Sequence, residues 1–117
     1  MKTLISVLAF LLIANPLSAQ LKVEASGRAG SNQVSGSIKG ESPNTSRFTI
    51  VVYRIVKRDG KMHTVEIGRK TRERRLEEDK FSVTLNPGVT LSAGDHIQVH
   101  VETNSNPRQT ANKFFTV

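Results

Sequence analysis

The chain of 117 residues contains no cysteine and no tryptophan, and Tyr53 is its single tyrosine. Without cysteine there is neither a disulfide nor a lipid-anchored cysteine, so a folded domain has to be stabilised by burial alone. The scarcity of aromatic side chains leaves few platforms on which nucleic-acid bases stack. Long apolar runs are also rare, and the longest one stands at the N-terminus.

The N-terminal residues follow the pattern of a cleavable export signal. Lys2 supplies a positive charge, an apolar stretch follows, and Leu17-Ser18-Ala19 matches a small-residue cleavage site. A retained membrane anchor is the alternative, but the apolar run from Leu4 to Ile13 has about half of the ~20 residues needed to cross a bilayer. We therefore expect residues 1–19 to be a signal peptide and residues 20–117 to be one periplasmic domain, without stable membrane insertion.

Positive charge is concentrated in one part of the chain. The formal net charge is +7, and between Arg54 and Arg75 nine basic residues stand against three acidic ones, a local balance of +6. One interpretation is a solvated segment that keeps a small domain soluble and discourages pairing at a sheet edge. The other is a surface that attracts an anionic partner. Export and the few aromatic residues disfavour nucleic acid, which leaves acidic protein segments, lipid headgroups or acidic polysaccharide.

Short stretches of alternating apolar and polar residues, separated by turn signals, predict β-strands. The charged segment from Lys70 to Lys80 has Leu76 as its one apolar residue, so we predict a loop that buries no face, with at most a short helical turn. This pattern predicts an all-β, immunoglobulin-like antiparallel β-sandwich of about seven strands, and a small open-ended barrel is the main alternative. The predicted strands are 21–26, 33–39, 48–58, 61–69, 81–85, 96–102 and 109–116.

The most apolar and β-branched of these stretches is Phe48 to Arg58, which we expect to be a core strand. Asp59-Gly60 follows it and tolerates positive φ at both central positions of a tight turn, so Lys61 to Arg69 is predicted to return as a hairpin partner. The expected register places Val56 opposite His63, Arg54 opposite Val65, and Val52 opposite Ile67.

Arg54 falls on the predicted core side of this strand. Either a bulge shifts the alternation there, or the stem of Arg54 lies along the core edge with its guanidinium in water. The other face carries Val51, Tyr53, Ile55 and Met62, which are either exposed or covered by a further layer. If they are exposed, they form an apolar strip beside basic residues that can hold an extended polypeptide by side-chain contact or by edge pairing.

The sequence offers no catalytic constellation. His96 and His100 share one face of a predicted strand, but they lie about 13 Å apart, too far to ligate one metal ion together. There is no nucleophile-elbow spacing and no glycine-rich phosphate loop. We therefore expect no enzyme, no metal and no cofactor.

The stretch from Leu91 to Val101, followed by a polar turn and Lys113-Phe114-Phe115, is similar to the last two strands of periplasmic curli accessory proteins of the CsgC and CsgH type. The central strand beginning near Ser46 also aligns with that family. The resemblance implies an immunoglobulin-like domain that keeps amyloid-forming curlin subunits from assembling, without ATP and without chemistry. CsgC-like members carry a Cys-x-Cys pair where this chain has Ser46 and Phe48, so a redox role does not carry over.

Resemblance and charge together predict a monomeric, chaperone-like inhibitor of curli amyloid subunit aggregation that binds acidic, strand-forming clients transiently. An exported adhesion or structural module that binds an acidic polymer or membrane headgroups is the alternative. The residues predicted to bind the client are Tyr53, Arg54, Ile55, Lys57, Arg58, Arg72, Arg74 and Arg75.

Overall fold

The computed structural model describes residues 21–40 and 45–117, so the predicted signal peptide lies outside the described residues. The described residues form strands, turns and loops and contain no helix. Accordingly, none of them belongs to a helix of the length and apolar character that spanning a membrane requires. The strands, numbered in chain order, are β1 (Lys22–Ser26), β2 (Gln33–Lys39), β3 (Phe48–Arg58), β4 (Lys61–Arg72), β5 (Asp79–Thr84), β6 (His96–Thr103) and β7 (Thr110–Thr116).

The seven strands form two antiparallel sheets. The three-stranded sheet has the order β1-β2-β5, and the four-stranded sheet has the order β4-β3-β6-β7. An isolated bridge between Gly68 and Leu85 joins β4 to the end of β5. The predicted all-β sandwich is therefore confirmed, with the β3–β4 hairpin as one side of the larger sheet.

The core lies between the inner faces of the two sheets. Along β6, Ile97, Val99 and Val101 are fully buried while the residues between them are more exposed, as the two-residue period of a strand requires. The other sheet contributes Val34 and Ile38 from β2 in the same way. Because the domain has no disulfide, this apolar layer is the main source of its stability.

The β3–β4 hairpin closes at Asp59-Gly60, where both residues have positive φ, 52° and 77°. This is the geometry of a type I′ turn, which matches the twist of the two strands. Val56 pairs with His63 and Arg54 with Val65, as predicted.

Further along the same hairpin, a β-bulge changes the register between Val52 and Tyr53. Val52 pairs with Gly68 and Tyr53 with Glu66, so Ile67 is the extra residue and the predicted pairing of Val52 with Ile67 is wrong. The bulge lies on β4 rather than on β3. It allows Ile67 to be buried, while the alternation of β3 continues unchanged through Arg54.

The charged segment from Lys70 to Lys80 is more ordered than its composition suggests. β4 continues through it to Arg72, and Leu76 is fully buried with 0% exposure. The prediction of a loop over the whole segment is therefore wrong at its two ends, where β4 reaches Arg72 and β5 begins at Asp79, and the single apolar side chain between them anchors the intervening loop to the core. Lys70 also donates a hydrogen bond from Nζ to the carbonyl oxygen of Ser82, at 3.1 Å.

We expect Leu76→Ala to lower the free energy of unfolding by about 2–5 kcal/mol, because it leaves a cavity in the core. Glu73→Ala, an exposed change in the same segment, should alter it by less than about 0.5 kcal/mol. Urea denaturation of both variants checks the prediction. Equal stability of the two variants would mean that Leu76 is not an anchor.

Candidate functional site

The four-stranded sheet has an outer face, which is the side turned away from the core. On this face β3 carries Tyr53 and Ile55. Tyr53 lies between Glu66 of β4 and Gln98 of β6, and Ile55 lies between Thr64 and His96. Both side chains are half-buried. They therefore occupy a surface that is open to solvent and not covered by a further layer of the described chain.

Exposure along this face increases toward the hairpin turn. Val51 points outward but is only 4% exposed, between its cross-strand neighbours Arg69 and His100. Met62, beside the turn, is 63% exposed. No further layer of the described chain covers this face, and Val51 is buried by side chains of its own sheet.

A shallow apolar groove of about 360 Å³ lies at the exposed end of the outer face. Phe114 of β7 forms part of its wall and is 59% exposed. Sequence reasoning did not select Phe114 as a site residue, although Phe114 and Phe115 are adjacent on a strand and must point to opposite faces. The groove is lined by Ile55, Met62, His96, Ile97, Phe114, Phe115 and Thr116.

Three exposed cations cluster at the hairpin turn, and we call them the tip cations: Lys57, Arg58 and Lys61. Lys57 shares the outer face with the groove, whereas Arg58 and its cross-strand partner Lys61 lie on the other face, the side of Arg54. All three are exposed, and none forms a salt bridge with another residue in the part of the chain that the structure describes. Lys57 pairs with Met62 across the hairpin, so its charge lies next to the apolar groove. Asp59 in the turn offsets one of these charges, so the tip keeps a net positive charge that can attract an anionic partner.

Arg54 lies on the inner side of β3 and not among the outer-face residues. Its Nη2 donates a hydrogen bond to the carbonyl oxygen of Thr90 at 2.7 Å and forms a salt bridge with Asp95 at 3.2 Å. Asp95 also accepts a hydrogen bond from the backbone N–H of Ser92. Arg54 therefore fastens the connection between β5 and β6 to β3, with its stem along the core edge.

The remaining predicted site residues, Arg72, Arg74 and Arg75, lie at the other end of the sheet. Arg72 pairs with Phe48, nine residues along β3 from Lys57, which corresponds to about 30 Å. Arg74 forms a salt bridge with Asp79 and lies over the ring of Phe48, and Arg75 forms one with Glu77. The expectation that all the basic residues share one surface is wrong, because β4 carries its two charged ends to opposite ends of the sheet.

Between these two ends, Arg69 donates hydrogen bonds from Nε and Nη2 to the carboxylate of Glu66, at 3.0 and 2.8 Å. The hydrogen bonds and the positive charge of Arg69 hold the pKa of Glu66 below its usual value. The pair is exposed, so it adds little to stability, and that contribution is lost as the pH falls through the lowered pKa. Its main effect is that the two opposite charges compensate each other at this position of the sheet.

The pKa of Glu66 provides a direct check of this pair. Arg69→Ala should raise it toward the ordinary range of a glutamate, because the hydrogen bonds and the nearby cation are lost. An NMR titration of the side-chain carboxyl carbon measures the change, with Lys70→Ala as the control at the adjacent position. An unchanged pKa in Arg69→Ala would contradict the pairing.

Arg54 is held by Thr90 and Asp95 whereas Lys57 is exposed, so substitutions at these two positions should differ in their effect on stability. Replacing Arg54 by methionine should lower the free energy of unfolding by about 1–3 kcal/mol, because the Thr90 carbonyl and Asp95 lose their partner. Lys57→Gln should change it by less than about 0.5 kcal/mol. Urea denaturation separates the two roles, and equal stability of both variants would contradict a structural role for Arg54.

The histidines of β6 are held by polar neighbours. His96 Nδ1 lies 3.1 Å from Thr116 Oγ1, and His100 Nδ1 lies 2.8 Å from Asn112 Oδ1. His100 Nε2 is also 3.3 Å from a carboxylate oxygen of Glu102. Among residues 21–40 and 45–117, no three histidine, cysteine, aspartate or glutamate side chains are grouped in a way that suits a metal ion.

Comparison with known proteins gives no family assignment. No protein-family model matches the chain, and no curated protein matches it significantly.

Proposed function

We propose that this protein is an exported, chaperone-like inhibitor of amyloid subunit assembly, with curlin-type subunits as the client class. The client is bound transiently at the hairpin end of the outer face. The observation that carries the proposal is the combination found at this end of the hairpin: an exposed apolar groove near three cations that form no salt bridge within residues 21–40 and 45–117. The resemblance to curli accessory proteins supplies the client class.

This surface suits a segment that is both acidic and strand-forming. Clustered positive charge accelerates the encounter with an acidic chain, and the groove takes up apolar side chains that alternate with the acidic ones. Neither feature requires a deep pocket, so contact is brief and the protein is released to act again. Transient binding of this kind interferes with nucleation without consuming one protein molecule for each client.

The tip cations also support a second candidate, an adhesion or structural module that binds an acidic polymer or membrane headgroups. They would attract any dense array of negative charge. The exposed Met62 and Phe114 favour the first candidate over an acidic polysaccharide, which has no apolar side chains to place in the groove.

The purified protein, added well below the concentration of a curlin subunit, should lengthen the lag phase of fibre growth measured by thioflavin fluorescence. Raising the ionic strength to about 1 M should weaken the effect, because charges are then screened within about 3 Å. An unchanged lag phase at low salt would exclude the proposed activity. Retention on an anionic matrix combined with that result would favour the second candidate.

Matched charge variants locate the surface. Replacing Lys57, Arg58 and Lys61 together by glutamine should remove most of the inhibition. Replacing Lys22, Arg28 and Lys39 by glutamine removes the same charge from exposed positions outside the four-stranded sheet and should leave inhibition intact. Equal loss in both variants would show that net charge, and not the hairpin tip, determines the activity.

A further inference from the structure

The first half of β4 is an open sheet edge. β4 is the terminal strand of its sheet, and all six residues from Lys61 to Glu66 are exposed. Coverage begins only at Ile67, whose carbonyl oxygen accepts a hydrogen bond from the backbone N–H of Asn86 at 2.8 Å, and continues with the bridge from Gly68 to Leu85. No described residue pairs with Lys61–Glu66 on the side of β4 that faces away from β3.

The opposite edge of the same sheet is different. β7 packs beside β1 of the other sheet, and Lys113 of β7 forms a salt bridge with Glu24 of β1 at 3.3 Å. A strand approaching β7 therefore meets another strand and a charged pair. The Lys61–Glu66 edge presents neither obstacle.

The type I′ turn fixes which backbone groups of this edge face outward. In a two-residue hairpin the residues flanking the turn, here Arg58 and Lys61, exchange backbone hydrogen bonds, and hydrogen-bonded pairs then alternate with non-hydrogen-bonded pairs. The backbone N–H and C=O groups of His63 and Val65 are thus directed toward β3. Those of Met62, Thr64 and Glu66 are directed away from it, ready to pair with an added strand.

The charges around this edge indicate what kind of strand it accepts. The tip cations stand beside its beginning, and Glu66 at its end is neutralised by Arg69. Two copies paired here in parallel would bring their tip cations together, and in either strand direction two copies approach with the same positive net charge of +7, which disfavours self-pairing. An acidic chain in extended conformation would instead meet complementary charge and free hydrogen-bonding groups.

We propose that an acidic, extended polypeptide segment adds to the four-stranded sheet as a fifth strand along Lys61–Glu66, through the backbone groups of Met62, Thr64 and Glu66. This inference rests on the proposed function and specifies how the client is held. A client strand paired in this way has one of its two edges occupied, so no further subunit can pair at that edge.

Amide hydrogen exchange followed by NMR tests the pairing directly. The probe is a synthetic peptide of about ten residues that alternates glutamate with valine, the period of a strand. On addition of the peptide to the purified protein, the amides of Met62, Thr64 and Glu66 should gain protection, whereas those of His63 and Val65 are already protected by β3. A bound peptide that leaves these three amides unprotected would overturn the proposal, as would absence of binding.

Thr64→Pro is the matching variant, because proline removes an N–H that faces away from β3 and is tolerated on an edge strand. It should weaken peptide binding about tenfold, whereas Thr64→Ala, which keeps the N–H, should bind like the parent. Thermal unfolding shows whether Thr64→Pro is folded, and the exchange measurement on the parent protein does not depend on it. Equal weakening by both variants would assign the effect to the side chain and overturn edge pairing.

The two proposals fail separately. If the parent delays fibre growth but the three amides stay unprotected, the edge site is wrong and the inhibitory function stands. If the peptide protects the three amides but the parent leaves fibre growth unchanged, the strand-addition site stands and the proposed function is wrong. Protection that rises with protein concentration in the absence of peptide would identify a second copy as the occupant and overturn the acidic-client proposal.

Discussion

In the four-stranded sheet, the two neighbours of β3 pair with it over different lengths. β3 pairs with β4 along its whole length, from Phe48 to Arg58, but with β6 only from Phe48 to Ile55. The hairpin therefore extends beyond the sandwich, and its last residues have a neighbour on one side only. The exposure of Met62 and of the tip cations follows from this overhang, whereas the edge of β4 is open because β4 is the terminal strand of its sheet.

Much of the fold follows from local sequence signals. The alternation in β2 and β6 and the Asp59-Gly60 turn determine strands and register near the turn, because each depends on residues close together in the chain. The bulge at Ile67 does not follow from such signals, since it depends on how the end of β4 meets Leu85 and Asn86. Leu76 was missed for the same reason: its burial is decided by distant strands.

The candidate site was less predictable than the fold. A count of basic residues between Arg54 and Arg75 indicates concentrated charge. In a strand, however, each residue adds about 3.3 Å of length and successive side chains point to opposite faces, so the charges are spread out. Arg54 forms a salt bridge with Asp95, Arg74 with Asp79 and Arg75 with Glu77. Within the described residues, the basic side chains of that stretch without a salt bridge are the tip cations and, toward the other end of β4, Lys70 and Arg72. Phe114 was not predicted as a site residue, yet this apolar side chain is exposed to solvent.

The bulge at Ile67 also sets a limit on molecular recognition at this edge. Six residues of β4 precede it, and beyond it the loop after β5 already occupies the hydrogen-bonding positions. A strand added to the edge from the turn would pair with Met62, Thr64 and Glu66. Beyond them it would meet Leu85 and Asn86, which already pair with β4. The open part of this edge thus spans six residues, and a strand paired over so short a length would exchange faster than one paired along a full edge.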